Sequence, residues 1–368
     1  MLHNSRRLTR NNFDLLRLLF AGTVCLVHAH KLSGYPSLKI VTGFLSSEVA
    51  IKAFFVVSGF LIFMSFERST SVVAYLGKRA RRIYPAYFTV VMLCAIGLVA
   101  VSSQSAGDYF FSFEWIRYIL ANLAFLNFFQ HTLPGVFETH KLAVVNGALW
   151  TLKIEVMFYL CVPLFVRLFR RFGHCPMIFF FYSCSVAYAL LCTWMAAHTG
   201  SAIYSELGRQ LPGQLSYFMG GALLYYYLPL FEQQVGYFVS ASVLALVANK
   251  AYSLPLLEPM ALAIVIVFWG LFLYLGNFGK YGDLSYGVYI LHFPIIQLLL
   301  YTGWFKNNPW VFIIMVVIIT TVGAFAMWHL VEKRFLLRSS YYVARRGALS
   351  AVVPDMALDI NTAERRVS

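Results

Sequence analysis

Long runs of apolar residues, separated by short polar segments, dominate this chain from residue 13 to residue 331. Most of these runs approach the roughly 20 residues that an α-helix needs to cross a bilayer. The seventh run is short and flanked by polar residues, so nine or eleven spans are also compatible with the pattern. The pattern predicts an all-α bundle of about ten transmembrane helices, at residues 13–31, 49–66, 83–101, 148–169, 177–197, 213–230, 235–249, 258–275, 284–302 and 310–331.

The composition excludes a soluble domain. Hydrophobic residues make up 60% of the 368 residues and charged residues 12%, and so few charges cannot cover a globular surface. The first run is too long for a cleavable signal peptide, contains Arg17 and is not followed by a small-residue cleavage pattern, so we expect it to remain in the mature protein. The sequence therefore predicts a multi-pass membrane protein.

The distribution of lysine and arginine predicts the orientation. With a cytoplasmic N-terminus, 19 of the 29 basic residues lie in cytoplasmic segments and 7 in outer segments, as the positive-inside rule requires. Both termini are then cytoplasmic, and we expect a transmembrane domain at 1–338 followed by a disordered polar tail at 339–368. The net charge of +14 orients the protein and meets anionic lipid headgroups, so nucleic acid is not an expected partner.

Two ionisable residues inside the first run, Arg17 and His28, point to a functional site. Such side chains are costly in hydrocarbon unless they are paired or face a wet cavity. Eleven steps of about 100° return His28 to within roughly 20° of Arg17, so both lie on one helix face about 16 Å apart. Asp14 is placed to hold Arg17 through an i to i+3 contact.

A carboxylate in the fourth run is the next candidate. If that helix starts near Ala148, Glu155 lies about 10 Å into the membrane from the outer side. The sequence offers His28 and Lys153 as its partners, and a purely structural ion pair is the alternative. The preceding outer segment, 102–147, contains a semi-apolar stretch at 115–129 that predicts an amphipathic or partly buried helix lying over the bundle.

Other polar residues have weaker signals. His292 is either a hydrogen-bonded packing residue or a wall of the substrate cavity, while Ser58 and Gly59 favour close helix contact. His329 and Glu332 are expected at the inner interface. The outer-loop histidines, His131 and His140, are expected to be solvated rather than to bind a metal, and no metal site is predicted.

A dense basic segment precedes the third run. It contains Lys78, Arg79, Arg81 and Arg82, followed by Tyr84. One interpretation is a positive-inside anchor. The other is a cytoplasmic docking surface for a phosphate-bearing ligand, because guanidinium groups match phosphate oxygens in pairs.

Five motifs occur in a fixed order over about residues 10–338. They are Asn12 to Arg17 with His28 eleven positions after Arg17, Phe54 to Leu61, Lys78 to Pro85, Leu149 to Tyr159 with Glu155, and Leu284 to His292. Together they resemble the acyltransferase-3 membrane family, bacterial enzymes that O-acylate sugars of surface polysaccharides and related envelope glycans. Lys153, where an uncharged residue is common, and Val156, in place of a frequent second glutamate, depart from the family pattern and leave the role of Glu155 less secure.

The resemblance implies a donor and an acceptor. The donor is acyl-CoA, usually acetyl-CoA, entering from the cytoplasm as a substrate, with no permanently bound cofactor. The acceptor is a hydroxyl on the outer side of the cytoplasmic (inner) membrane of a bacterium: O-antigen, exopolysaccharide or a lipid-linked glycan. No stretch of this sequence indicates the extra soluble domain that some relatives carry, so we expect a membrane-associated or periplasmic acceptor, with polysaccharide-assembly proteins as candidate partners.

Acyl transfer from a thioester to an alcohol needs a base, a cation that holds the donor and a group that stabilises the oxyanion. His28 is the candidate base, Glu155 orients it or holds the sugar, and Arg17 meets the thioester or the pantetheine arm. Donor contacts are predicted for Arg17, Arg79, Arg81, Arg82 and Tyr84. Cavity walls are predicted at Asp14, Trp150, Lys153, Tyr159, Tyr289 and His292.

Two alternatives stay open from the sequence. The acyl group is either transferred directly or relayed across the membrane as an acyl-histidine at His28. The rival function is transport of a lipid-linked sugar or a small anion, with Arg17 binding substrate and His28 relaying protons. The hydropathy shows no inverted repeat of the kind that many transporters have.

Overall fold

The computed structural model describes residues 6–276 and 278–336, and within these ranges the regular structure is helical, with no strand. The predicted tail at 339–368 lies outside the described residues. Eleven helices have eleven or more residues: α1 (Phe13–Ser33), α2 (Ser47–Glu67), α3 (Val72–Gly97), α4 (Phe113–Leu123), α5 (Trp150–Phe172), α6 (His174–Thr199), α7 (Leu211–Tyr226), α8 (Val235–Tyr252), α9 (Glu258–Leu271), α10 (Ser285–Thr302) and α11 (Pro309–Met327).

Each of the ten predicted spans corresponds to a helix. Among the described residues, seven helical segments are long and apolar enough to cross a membrane, and they include α1, α2, α3, α6, α8, α10 and α11. The helix α5 carries five charged residues, and α7 and α9 have only 16 and 14 residues. The predicted all-α membrane bundle is confirmed, with additional helices in the connecting segments.

Close backbone contact between α2 and α7 forms the centre of the bundle. A side-chain carbon added at Gly59 would lie 2.0 Å from the carbonyl oxygen of Phe218, and one at Gly221 would lie 2.1 Å from that of Val56. Only glycine permits this approach, because any Cβ would overlap the facing backbone. The predicted role of Gly59 in helix contact is confirmed.

The N-terminal end of α1 is fixed against the C-terminal end of α9 and the residues that follow it. Asn12 donates its backbone N–H to Gly270 O at 2.7 Å and its side-chain amide to Trp269 O at 3.1 Å, and its side-chain oxygen accepts the Leu275 N–H at 3.0 Å. These bonds satisfy backbone groups that would otherwise be unpaired inside the bundle. They also set the depth at which Arg17 and His28 lie.

The segment between α3 and α5 enters the bundle twice. Its first descent is α4, which lies alongside α3: Trp115 Nε1 donates to Ala95 O at 2.8 Å, and Tyr87 donates its hydroxyl to Asn122 O at 2.7 Å. Ala95 and Tyr87 are eight residues apart, so α4 descends by about 12 Å along α3. The predicted helix is present and partly buried, and it packs along α3.

The second descent is the irregular segment 142–149, which follows α10. Gln297 donates to the carbonyl oxygens of Leu142 and Val144 at 2.7 and 2.9 Å, and Asn146 donates to Ile290 O at 2.8 Å. From Gln297 to Ile290 the chain descends by about 10 Å. Irregular backbone is tolerated at membrane depth only when protein groups or water satisfy it, and these amides do so.

Gln297 also forms a hydrogen bond with one of the two outer-loop histidines, His140. Its Oε1 lies 2.8 Å from His140 Nδ1, so His140 is partly exposed and hydrogen-bonded to α10 rather than fully solvated. His131 is exposed, as predicted. Gln297 therefore ties both the loop and the descending segment to α10.

Candidate active site

Five charged side chains meet at the end of the bundle where α1 and α10 begin. We call this end of the bundle the basic end. Arg17 contacts Asp14, as predicted, and its Nη2 also lies 2.8 Å from Asp283 Oδ2. Arg82 of α3 contacts the same Asp283 oxygen, and its Nη1 lies 3.4 Å from Glu332 Oε2. Two arginines therefore share one carboxylate. We call these five residues the carboxylate–arginine cluster.

Asp283 joins the two halves of this cluster. Its side chain is 11% exposed, and its Oδ1 accepts the backbone N–H of Ser285 at 3.2 Å and the Ser285 hydroxyl, which fixes it at the start of α10. Burial raises the pKa of a carboxyl group, but the charges of Arg17 and Arg82 outweigh burial and lower the pKa of Asp283 to about 2. At neutral pH Asp283 is thus an anion that holds both guanidinium groups.

Glu332 is buried in the protein interior. It lies in the π-helical turn Trp328–Glu332 that continues α11, and its side chain is 1% exposed. The turn directs its carboxylate towards Arg82, so Glu332 faces the protein interior at the inner end of α11. His329, in the same turn, is partly exposed.

Glu155 lies deeper in the bundle than its sequence position suggested. Tyr159, one turn further along α5, donates its hydroxyl to the Glu155 carboxylate. The ring of Tyr159 lies 5.9 Å from the Arg79 guanidinium, which places Glu155 near the arginines. The reason is the second descent: the chain has already descended along α10 before α5 begins, so Glu155 approaches the basic end.

The two partners predicted for Glu155 have other contacts. Lys153 Nζ lies 4.9 Å from the ring centre of Phe128, in a cation–π contact. His28 bonds to another histidine. The predicted pairing of Glu155 with either residue is therefore wrong.

The basic segment 78–85 is helical, because α3 begins ahead of it, and its members occupy different faces. Arg79 is 7% exposed; its Nη2 donates to Ser65 Oγ at 3.2 Å and its guanidinium lies 5.9 Å from the Tyr159 ring centre. Arg81 and Tyr84 are exposed. Of the predicted donor-binding residues in this segment, Arg79 thus points into the protein, and Arg81 and Tyr84 lie on its surface.

His28 meets His292 about 16 Å along α1 from Arg17. His28 Nδ1 and His292 Nε2 are 2.8 Å apart. His292 is fully buried, its Nδ1 lies 3.2 Å from Val288 O, and the ring of Phe293 lies edge-on to His28 at 5.6 Å between centroids. Of the two roles left open for His292, the structure shows a hydrogen-bonded residue that directly contacts the candidate base.

Tyr289 and α5 enclose the space next to this histidine pair. The hydroxyls of Tyr289 and Thr151 are 2.7 Å apart, and the Tyr289 ring lies 5.9 Å from that of His292. Trp150, the first residue of α5, is partly buried. Of the predicted wall residues, Tyr289 thus lies at the histidine pair, and Tyr159 lies with Glu155 nearer the basic end.

Sequence reasoning missed Asp283 and Gln297. Asp283 precedes an apolar run and has the usual appearance of a helix-start residue, so its position before Ser285 was the available signal. Gln297 is an isolated amide within an apolar run. Its signal was that an uncharged polar side chain in a membrane helix needs an interior partner.

A family model described as an acyltransferase domain matches residues 10–329. This range contains the carboxylate–arginine cluster except Glu332, together with Glu155 and both histidines of the pair. The chain belongs to the acyltransferase-3 family.

Two relatives align over nearly their full lengths. Nodulation protein 10 of Rhizobium leguminosarum bv. viciae is 27% identical over 365 residues, covering 92% of this chain and 96% of the relative. The O-acetyl transferase of Shigella phage Sf6 is 29% identical over 342 residues, covering 90% and 97%. No solved structure matches the chain.

Membership of the acyltransferase-3 family makes this protein a membrane-embedded acyltransferase, and the site supplies groups that acyl transfer requires. His28 is a candidate base and is hydrogen-bonded to His292, and Arg17 and Arg82 place positive charge at the basic end, the kinds of group that such a reaction uses. In the described part of the chain, no group of three histidine, cysteine or acidic side chains is arranged to hold a metal ion.

Proposed function

We propose that this protein is an O-acyltransferase that moves an acyl group, acetyl in the simplest case, from cytoplasmic acyl-CoA to a hydroxyl of a cell-envelope sugar. The family match and the resemblance to a phage O-acetyl transferase support this reaction class. The proposal places the protein in the cytoplasmic membrane of a bacterium, with the basic end towards the cytoplasm.

The histidine pair is the observation that carries the proposal. An imidazole enclosed by α1, α10 and the start of α5 is a base in a largely apolar surrounding, 2.8 Å from a second imidazole. Structural packing alone does not require two adjacent histidines at that depth, because buried polar groups are costly unless they have a task. A base that removes a hydroxyl proton is such a task.

The donor approaches from the basic end. Arg81 and Tyr84 are exposed there, so we assign them the first contacts with the nucleotide and its phosphates. Arg17 and Arg82 are already held by Asp283, and we assign them to the donor arm between this surface and His28. Their shared carboxylate keeps both guanidinium groups in place before the donor binds.

Direct transfer is the simpler route through this site. The sugar hydroxyl loses its proton to His28 while its oxygen attacks the thioester carbonyl, and the carbon–sulfur bond then breaks. A relay through acyl-histidine requires His28 itself to attack first. Single-turnover reaction with labelled acyl-CoA and no acceptor separates the two, since a stable label on His28 would contradict direct transfer.

The reaction itself is tested with purified protein in lipid nanodiscs. We expect release of free CoA to require acetyl-CoA and a glycan acceptor together, and surface glycans from cells with an active copy to gain the mass of an acetyl group. CoA release that is independent of every glycan tested, with unchanged glycan mass in cells, would contradict the proposal.

A further inference from the structure

His292 and its backbone contact define which nitrogen of His28 acts as the base. We infer that His292 is a positioning residue that fixes His28 in the tautomer with its proton on Nδ1 and its lone pair on Nε2. This inference rests on the proposed function, in which His28 takes the proton of the acceptor hydroxyl.

Val288 determines which nitrogen of His292 carries the proton. Its carbonyl oxygen lies 3.2 Å from His292 Nδ1, and a carbonyl oxygen can only accept a hydrogen bond. His292 Nδ1 therefore carries a proton and donates it. In a neutral imidazole one nitrogen is then a donor and the other an acceptor, so His292 Nε2 has the lone pair.

The contact between the imidazoles of His292 and His28 then determines the proton position on His28. His292 Nε2 lies 2.8 Å from His28 Nδ1. Because His292 Nε2 accepts, His28 Nδ1 must carry the proton and donate it. The proton of neutral His28 is thus placed on Nδ1, and Nε2 is left with the lone pair that a general base needs.

The surroundings keep this arrangement in place. His292 is fully buried, so water does not compete for its nitrogens, and α10 fixes its distance from Val288 at one helical turn. Phe293 lies edge-on to His28 with ring centres 5.6 Å apart, which limits rotation of the imidazole. His292 acts through His28 and does not touch the acceptor.

The proton balance of the reaction uses this tautomer. His28 Nε2 takes the hydroxyl proton as the oxygen attacks the thioester carbonyl, and the cationic ring then donates more strongly from Nδ1 to His292. When the carbon–sulfur bond breaks, the CoA thiolate takes the proton from Nε2. His28 returns to its starting tautomer, and no other reactant is consumed.

Substitution of His292 tests the inference. His292→Leu removes the acceptor while keeping an apolar side chain of similar length, and His292→Gln retains an oxygen that can accept from His28. We expect kcat to fall by at least about tenfold in His292→Leu, as expected when a catalytic histidine loses its correct tautomer. We expect His292→Gln to keep most of the native kcat. The KM for acetyl-CoA should change little in both variants.

Nitrogen-15 NMR of histidine-labelled protein in nanodiscs reads the tautomer independently of activity, with His28→Ala used to assign the His28 signals. We expect the Nδ1-protonated form of His28 in the native protein and a mixture in His292→Leu. His198, which makes the same bond to the carbonyl four residues earlier on the exposed surface, provides the control His198→Leu.

Three results would overturn the inference: an Nε2-protonated His28 in the native protein, unchanged kcat in His292→Leu, or equal losses in His292→Leu and His292→Gln when both are folded. Failure of the proposed function has a different signature. In that case the native protein transfers no acyl group to any glycan, while the NMR signals still report whether His292 sets the tautomer.

Discussion

Asp283 shows how one carboxylate organises the basic end. It is nearly buried, caps α10 and contacts Arg17 and Arg82 from two other helices. A buried charge is tolerated when it is paired and hydrogen-bonded, and Asp283 has both kinds of partner. Its role is to hold two guanidinium groups side by side, where like charges would otherwise repel each other.

Removing this carboxylate should destabilise the protein in a pH-dependent way. Asp283→Asn removes the carboxylate that Arg17 and Arg82 share while Asp14 and Glu332 remain, so we expect a loss of about 3 kcal/mol, at the lower end for a broken buried pair. The folded pKa of about 2 lies below the unfolded value of about 3.9. The stabilisation is therefore present above that unfolded value and is lost as the pH falls towards the folded one.

Unfolding in detergent, followed by intrinsic fluorescence, measures this difference. The gap between native protein and Asp283→Asn should be widest near neutral pH and shrink below about pH 4. Asp108→Asn is the control, because Asp108 is exposed and bonds only locally to Ser105. A gap that is absent at neutral pH, or that grows on acidification, would contradict the role given to Asp283.

Contacts within one helix could be predicted from the sequence, and contacts between distant segments could not. The Asp14–Arg17 pair follows from their i to i+3 spacing. The bond between His28 and His292 joins residues 264 positions apart, and no local pattern specifies which helices become neighbours. Sequence reasoning therefore found both histidines but not their pairing.

The segment 142–149 gives α5 its depth and carries contacts to the histidine pair. Gly147 lies against Phe293, whose ring in turn lies against His28. A side-chain carbon at position 147 would come within 2.7 Å of the Phe293 ring. Gly147 and His28 are therefore joined in one chain of packing through the Phe293 ring.

Gly147→Ala should impair catalysis more than folding. The added methyl group pushes Phe293 towards His28, and a displacement of about 1 Å near the reacting groups can lower the rate by up to about 100-fold. We expect kcat for acyl transfer to fall by at least about tenfold, with folded protein still recovered by size-exclusion chromatography. Gly236→Ala provides the control, since its added carbon meets nothing within 4 Å. Equal kcat in the two variants would show that Phe293 does not couple this segment to His28.

Hydropathy predicted the helices well and their depth poorly. The apolar runs located α1, α2 and α10 because crossing a bilayer imposes a length and a composition. The descents of α4 and of 142–149 depend on single polar contacts, such as Gln297 with two carbonyl groups. Such contacts leave no periodic signal, so Glu155 was placed too near the outer end.

In the whole bundle, the carboxylate–arginine cluster and the histidine pair lie at different positions along α1. The carboxylate–arginine cluster lies at the basic end, Glu155 with Tyr159 lies further in, and the histidine pair lies about 16 Å from Arg17. This order suits a donor that enters from one side and an acceptor that reaches His28 from the other. The positive-inside pattern predicts that the donor side is cytoplasmic.

Acyl transfer in inverted membrane vesicles tests this arrangement most directly. Labelled acetyl-CoA is added outside the vesicles, where the cytoplasmic face is exposed, and the label on glycan is counted for native protein, His28→Ala and His30→Ala. His30 lies two positions further along the same helix, with its Nδ1 3.2 Å from the Thr42 hydroxyl oxygen, and serves as the matched control. We expect native protein and His30→Ala to label the glycan, and the labelling rate of His28→Ala to be at least about 100-fold lower. Labelling at the native rate by properly inserted His28→Ala would contradict the assignment of His28 as the base.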